Sequence, residues 1–145
     1  MLALIQRVTH ANVVVEGEML GAIEQGIMAL IGIEKGDNEA NARRLWERIS
    51  GYRMFADQQD KMNLSVKDID GSVLLVPQFT LAADTKKGMR PSFSSAATPD
   101  ISRQLFDYFC DHSLEQYPKV EQGCFGANMQ VSLCNDGPVT FLLKV

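Results

Sequence analysis

"IMALIGIEKGDNEANARRLWERISGY", residues 27–52, changes its hydrophobic period halfway along. Residues Ile27 to Ile33 are a continuous apolar run bounded by glycines, which reads as a buried strand. Beyond Gly36 the apolar positions become Ala42, Leu45, Ile49 and Tyr52, three or four residues apart, with Asp37 or Asn38 in place as an N-cap. That is a helix. Toward the N-terminus, "LALIQRV" and "ANVVVEG" read as two strands, and "MLGAIEQG" as a short strand between turns at Gly17 and Gly26. Toward the C-terminus, "SVLLVPQFTLA" follows an Asp70-Gly71 turn and reads as a strand interrupted by Pro77. In "TPDISRQLFDYFCDHSLEQY", Thr98 is placed to cap, Pro99 fills the first turn, and Ile101, Leu105 and Phe109 make an apolar stripe, so a second helix is expected. "MQVSLC" and "VTFLLKV" alternate as two final strands. The order predicts one α+β domain over residues 1–145: a largely antiparallel, barrel-like sheet with two main helices packed outside.

Bulk properties narrow the function. The chain has 145 residues, 46% of them hydrophobic and 22% charged, ordinary for a soluble domain with a real core. No apolar run approaches the roughly 20 residues of a membrane span, so no membrane partner is expected. The start, "MLALIQRVTH", lacks a basic segment followed by a long apolar one, so no signal peptide is expected. Cys110, Cys124 and Cys134 are odd in number and lack CxxC spacing, which argues against a disulfide framework or a zinc knuckle and for a reducing cytoplasm. A net charge of −4 is a poor signature for extended nucleic-acid binding, so any nucleic acid must be gripped over a small area. The one basic cluster is Lys86, Lys87 and Arg90 in "TKKGMRPSF".

The usual catalytic signatures are missing. His10 and His112 have no nucleophile at motif spacing, and there is no G-x-S-x-G. "GIEKG" lacks the Lys-Ser/Thr of a phosphate loop, and no metal-ligand cluster is visible, so neither metal nor cofactor is expected. Two stretches remain. "LVPQFTLAADTKKGMRPSF" puts Gln78 and Thr80 on one face of the expected strand and Phe79 on the other. "GCFGANMQVSLCNDGPVT" is dense in glycine, a sign of close backbone approach, and sets Gly137-Pro138 between two good strands although proline cannot join a ladder.

Together these segments resemble the D-aminoacyl-tRNA deacylase family, marked by a "SQFTL" strand and a downstream "NxGPxT". The matching residues are Gln78, Phe79, Thr80, Leu81 and Asn135, Gly137, Pro138, Thr140. "IQRV" at 5–8, "MNLSV" at 62–66, "TKKGMRPSF" at 85–93 and "GCFGANM" at 123–129 extend the likeness over essentially the whole chain. One departure is plain: the family's serine before the glutamine is Pro77 here, so no hydroxyl at that position takes part.

The resemblance implies hydrolysis of the ester joining a D-amino acid, or mischarged glycine, to the terminal adenosine of tRNA. It implies a homodimer in which a cis Gly137-Pro138 segment enters the partner's site and rejects L-residues, with Met129, Phe125 and Arg7 around the substrate. Lys86, Lys87 and Arg90 would meet the acceptor end. Gln78, Phe79 and Thr80 would form the catalytic strand. Thr80 has no base in that strand to make it a nucleophile, so attack by the tRNA's own 2′-OH is favoured, with a bound water or Thr80 still open. Backbone N–H groups near Phe79 and Thr80 are candidates for an oxyanion hole. A strand-rich RNA-binding module without catalysis and a hydrolase of small D-aminoacyl esters remain as other readings.

Overall fold

The computed structural model describes residues 1–145. In chain order the elements are β1 (Leu2–Val15), β2 (Glu18–Ile23), β3 (Gly26–Gly32), α1 (Glu39–Gly51), β4 (Phe55–Ala56), β5 (Met62–Leu64), β6 (Ser72–Pro77), a 3₁₀ turn (Phe79–Ala82), α2 (Pro99–Gln116), β7 (Val120–Gln122) and β8 (Gln130–Lys144).

β1 organises the sheet. The two strands expected at its position are one, because β8 pairs across the exposed Thr9-His10 stretch, where β3 ends and β2 has yet to begin. Along one edge, β3 pairs with the first half of β1 and β2 with the second. Along the other, β8 runs antiparallel from Leu2↔Lys144 to Val14↔Gln130. β6 then joins β3, and β7 joins β6, both in parallel. The sheet is therefore mixed, with α1 lying in the connection from β3 to β6 and α2 in that from β6 to β7. This alternation is hard to see in the sequence because β7 is only "VEQ". β2 folds back toward the far edge: a Cβ on Gly21 would lie 3.2 Å from the Gln122 carbonyl of β7 and 3.3 Å from Leu74 of β6. The α+β assignment with a barrel-like core and outer helices is correct.

The barrel has two cores, set by the period of two along its strands. Ile27, Ala29 and Ile31 of β3 and Val73 and Leu75 of β6 face α1 and α2, where they meet Leu45, Trp46, Ile49, Phe106 and Phe109. Met28 of β3 and Leu74 and Val76 of β6 point the other way, to Val8, Ala11, Val13 and Ile23. Residues 27–33 are apolar without alternation because both faces are buried.

The helix starts meet expectation at α1 and depart from it at α2. Asn38, not Asp37, caps α1: its Oδ1 accepts from the N–H of Ala40 at 2.9 Å and of Asn41 at 3.4 Å. Asn41 Oδ1 accepts the Asn38 N–H in return, at 3.0 Å. Asp37 instead accepts the Glu34 N–H at 2.7 Å. Thr98 stands at the α2 N-cap but its side chain caps nothing, and Ile101 is exposed; the buried stripe runs through Ser102, Leu105, Phe106 and Phe109.

Candidate functional site

The strand expected through "QFT" stops at Pro77, and Phe79–Ala82 form a 3₁₀ turn. Gln78 and Thr80 therefore do not share a strand face as the period of two suggested. Gln78 still donates its N–H to the Ile31 carbonyl at 2.7 Å, and then its own carbonyl accepts the Leu81 N–H at 3.2 Å. The turn lies against β3, where Leu81 Cβ sits 2.9 Å from the place a Cβ on Gly32 would occupy. Only glycine leaves room for that contact. Pro77 is tolerated because β7 pairs no further along β6 than Leu75, so no partner on that side needs its missing N–H.

A cleft of about 470 Å³ opens beyond this strand end. Pro77, Gln78 and Phe79 form one wall, Ser102 of α2 lies behind, and Phe125 and Met129 from the β7–β8 connection form the other wall. The glycines of that connection serve its own fold. A Cβ on Gly123 would lie 2.8 Å from the Met129 sulfur, which also accepts the Cys124 N–H at 3.3 Å. Gly126 has φ +79°, a backbone region that favours glycine. The loop so closed presents Phe125, whose ring sits 6.3 Å from Phe106 and 5.1 Å under the Arg103 guanidinium. Ser102, Asn128 and Arg103 were not singled out from sequence; only the glycine density of "GCFGANM" marked their neighbourhood.

Thr80 is outside the cleft lining but adjoins it. Its hydroxyl oxygen accepts the Gln78 side-chain N–H at 2.5 Å. A neutral amide cannot remove the hydroxyl proton, so this contact orients Thr80 without activating it. No lining residue is an acid, a lysine or a histidine. His10 lies beside the Thr9 hydroxyl at 3.1 Å, and His112 stacks on Tyr108; neither belongs to the cleft. No three His, Cys, Asp or Glu side chains gather as metal ligands.

Arg7, Gly137 and Pro138 form a separate cluster. The two expected C-terminal strands are one strand, β8, carrying an excursion. Gln6 pairs with Thr140 and Val8 with Asn135, so two steps along β1 span five along β8. Asn135 closes the bulge from inside. Its Oδ1 accepts the Val139 N–H at 2.7 Å and its Nδ2 donates to Thr140 Oγ1 at 2.9 Å. Arg7, with a side chain only 16% exposed, donates from Nε to the Asp136 carbonyl at 2.8 Å and from a terminal nitrogen to the Met54 carbonyl at 2.9 Å. Gly137 and Pro138, joined by a cis peptide, project outward and are exposed. Lys86, Lys87 and Arg90 lie on the exposed loop after the 3₁₀ turn. A second, more open cleft of about 500 Å³ beside Tyr52 and Phe141 contains none of the candidate residues.

Fold and site thus define a small α+β protein with a mixed, nearly closed sheet, whose cleft offers apolar walls, two side-chain amides and one hydroxyl but no ionisable side chain. The family model described as D-Tyr-tRNA(Tyr) deacylase matches residues 4–144, and the chain belongs to that family. It is 58% identical over 145 residues to the D-aminoacyl-tRNA deacylase of Photorhabdus laumondii subsp. laumondii, covering 100% of both chains. It is 59% identical over 145 residues to the D-aminoacyl-tRNA deacylase of Thioalkalivibrio sulfidiphilus, covering 100% of this chain and 97% of that one. The solved structure of a c-Myc DNA Unwinding Element Binding Protein superposes with TM-score 0.95 at 36% identity, over 100% of this chain and 99% of that one. A probable eukaryotic D-amino acid tRNA deacylase shares the fold, with TM-score 0.84 at 15% identity over 99% and 98% of the two chains.

Proposed function

We propose that this chain hydrolyses the ester of D-aminoacyl-tRNA, and of glycine mischarged on tRNA, in the cytoplasm. The observation that carries the reading is that two motif segments far apart in sequence, Gln78-Phe79 and Phe125 to Met129, wall a single cleft. The terminal adenosine enters between Phe79, Phe125 and Met129. The ester then lies by the 3₁₀ turn, whose leading N–H groups, at Phe79 and Thr80, have no partner within the turn and serve as donors to the developing oxyanion. With no base in the lining, the tRNA's own 2′-OH assists: it orients a water that attacks the ester carbonyl. The C–O3′ bond breaks, the proton given up by the water passes to O3′, and free amino acid and tRNA leave, while the protein contributes position and electrostatics.

The cleft of one chain lacks Gly137 and Pro138. β8 pairs only with β1, leaving a fifteen-residue strand unpaired along its outer edge. These two facts support a homodimer in which the excursion of one subunit reaches the cleft of the other. There the exposed Gly-Pro carbonyls receive the substrate ammonium, and an L side chain is driven into backbone. Arg7 holds the excursion in place.

The test is hydrolysis of D-Tyr-tRNA and L-Tyr-tRNA in parallel, with EDTA present. Release from the D-ester alone supports the reading; equal release, or none, overturns it. A terminal 2′-deoxyadenosine should slow hydrolysis strongly, and unchanged rates would eliminate the 2′-OH route. Light scattering at micromolar concentration should report about twice the 16.1 kDa chain mass. A fully active monomer would sink the shared site.

A further inference from the structure

Phe79 is both a wall of the cleft and half of a surface aromatic pair. Phe79 is 58% exposed, and its ring centroid lies 5.2 Å from that of Phe93, a residue 41% exposed. Large aromatics are usually found buried, and two exposed together ask for an occupant. The chain is built to keep them together. Asp84 and Ser92 form an antiparallel bridge, with N–H···O distances of 2.7 and 3.2 Å, which returns the chain to Phe79 and sets Phe93 beside it. Ser95 Oγ donates to the Ala82 carbonyl, and Lys35 donates its N–H to the Ser95 carbonyl at 3.0 Å, tying the far end to the 3₁₀ turn and to the segment after β3. The bridge closes a tip that carries Lys86, Lys87 and Arg90, none of which takes part in an ion pair. In a chain of net charge −4 this is the one local concentration of free cations beside an exposed aromatic pair.

We propose that the Phe79–Phe93 pair and the loop it anchors form a platform for single-stranded RNA, which takes the nucleotide immediately 5′ of the terminal adenosine. The base stacks on the Phe93 face, and Lys86, Lys87 and Arg90 receive the phosphates that flank it. Alternating π-faces and phosphates are the chemistry of an unpaired nucleic-acid end. Because Phe79 belongs to both cleft and pair, an occupant of the cleft places its 5′ neighbour at the platform without any movement of the protein. A double helix, with its bases stacked inward, would leave the rings uncovered. The platform rests on the functional reading above, and it adds a second subsite that recognises polymer rather than ester.

The experiment compares D-Tyr-tRNA with 3′-O-D-tyrosyl-adenosine, which has no 5′ nucleotide, for the wild type and for Phe93→Ala, Phe93→Leu and Phe93→Trp. Loss of one base stack should lower kcat/KM for D-Tyr-tRNA about ten-fold or more in the Ala and Leu variants. Hydrolysis of the adenosine ester should be unchanged, and Trp should restore the tRNA rate. Lys86→Ala should lessen the dependence of log kcat/KM on log salt by about 0.7, the contribution of one phosphate on a single strand. Equal losses on both substrates, or no loss on either, would overturn the platform while leaving the deacylase reading intact. A Phe93→Ala protein that dissociates on sedimentation with its substrate preference unaltered would show that a second copy of the chain covers the pair, and would also overturn it. If the wild type hydrolyses neither ester, the functional reading falls and the platform falls with it.

Discussion

The cleft beyond β6 is walled by three remote parts of the chain, encloses about 470 Å³ and holds no ionisable group. The excursion on β8 is made by one short segment, is clamped by a nearly buried arginine, and encloses nothing. One region has the volume for a ligand and no means to orient a charged one. The other presents an exposed Gly137 and Pro138 and has no volume. On the reading proposed above each is half of a site, and the pairing explains how a protein without a general base in its cleft can still be selective. That reading divides recognition and reaction between surfaces that one chain does not bring together.

The sharpest way to break that division is Gly137→Ala. At φ +149° the added Cβ would fall 2.6 Å from Val139 Cγ2 and 2.8 Å from the Val139 nitrogen, so the excursion must rearrange. Hydrolysis of D-Tyr-tRNA should fall at least about a hundred-fold, the scale of losing one oriented contact in a transition state, while the melting temperature drops only a few degrees. A folded, fully active Gly137→Ala protein would show the excursion to be a mere bulge.

Asn135→Ala attacks the same region from inside. It removes the acceptor of the Val139 N–H and the donor to Thr140. A cost of about 1–3 kcal/mol in stability is expected, read as a lower urea midpoint, with discrimination between D- and L-esters falling alongside it. Thr80→Ala tests the cleft instead. With only the Gln78 amide on its hydroxyl, Thr80 is a support, so activity should fall no more than about ten-fold and no acyl-enzyme should be trapped at low pH. Abolished turnover together with a trapped acyl-enzyme would make the cleft a complete catalytic site by itself.

The smallest effect lies away from both regions. Asp57 accepts hydrogen bonds from the Asn63 side chain and from the Lys61 and Gln59 N–H groups, which hold its carboxyl below the usual range. A depressed carboxylate adds stability that is complete above its unfolded pKa of about 3.9 and is lost as pH falls through the lower folded value. The β4–β5 hairpin should therefore loosen below about pH 4, seen as faster amide exchange there, while the cleft and excursion keep their protection. Simultaneous loss in all three would tie the hairpin to the site.

Much of this was legible in residue patterns because burial imposes periods. The double-faced run at 27–33 and the stripe of α1 could be placed from spacing alone, and so could Leu105 and Phe109 of α2, though not the exposed Ile101. The misplacements came where neighbours distant in sequence override local signals. Thr9-His10 falls between two expected strands until β8 pairs across it, and "QFT" looks like a strand until β7 ends short and Gly32 admits Leu81. Of the candidate residues, Gln78, Phe79, Phe125 and Met129 share the cleft, and Arg7, Gly137 and Pro138 share the excursion. That these are two places and not one could not be read from a linear motif.

The pairing of β1 with β8 also sets a timetable. Leu2 meets Lys144, and Val14 meets Gln130, so half the hydrogen-bonding capacity of the first strand made is answered only by the last. At the usual pace of about 5–20 residues per second, a nascent β1 waits on the order of ten seconds with one edge open. During that interval any extended segment of another chain is a competitor for the place of β8. Ribosome-bound chains truncated before residue 130 should therefore associate with one another, and those carrying the final strand should not.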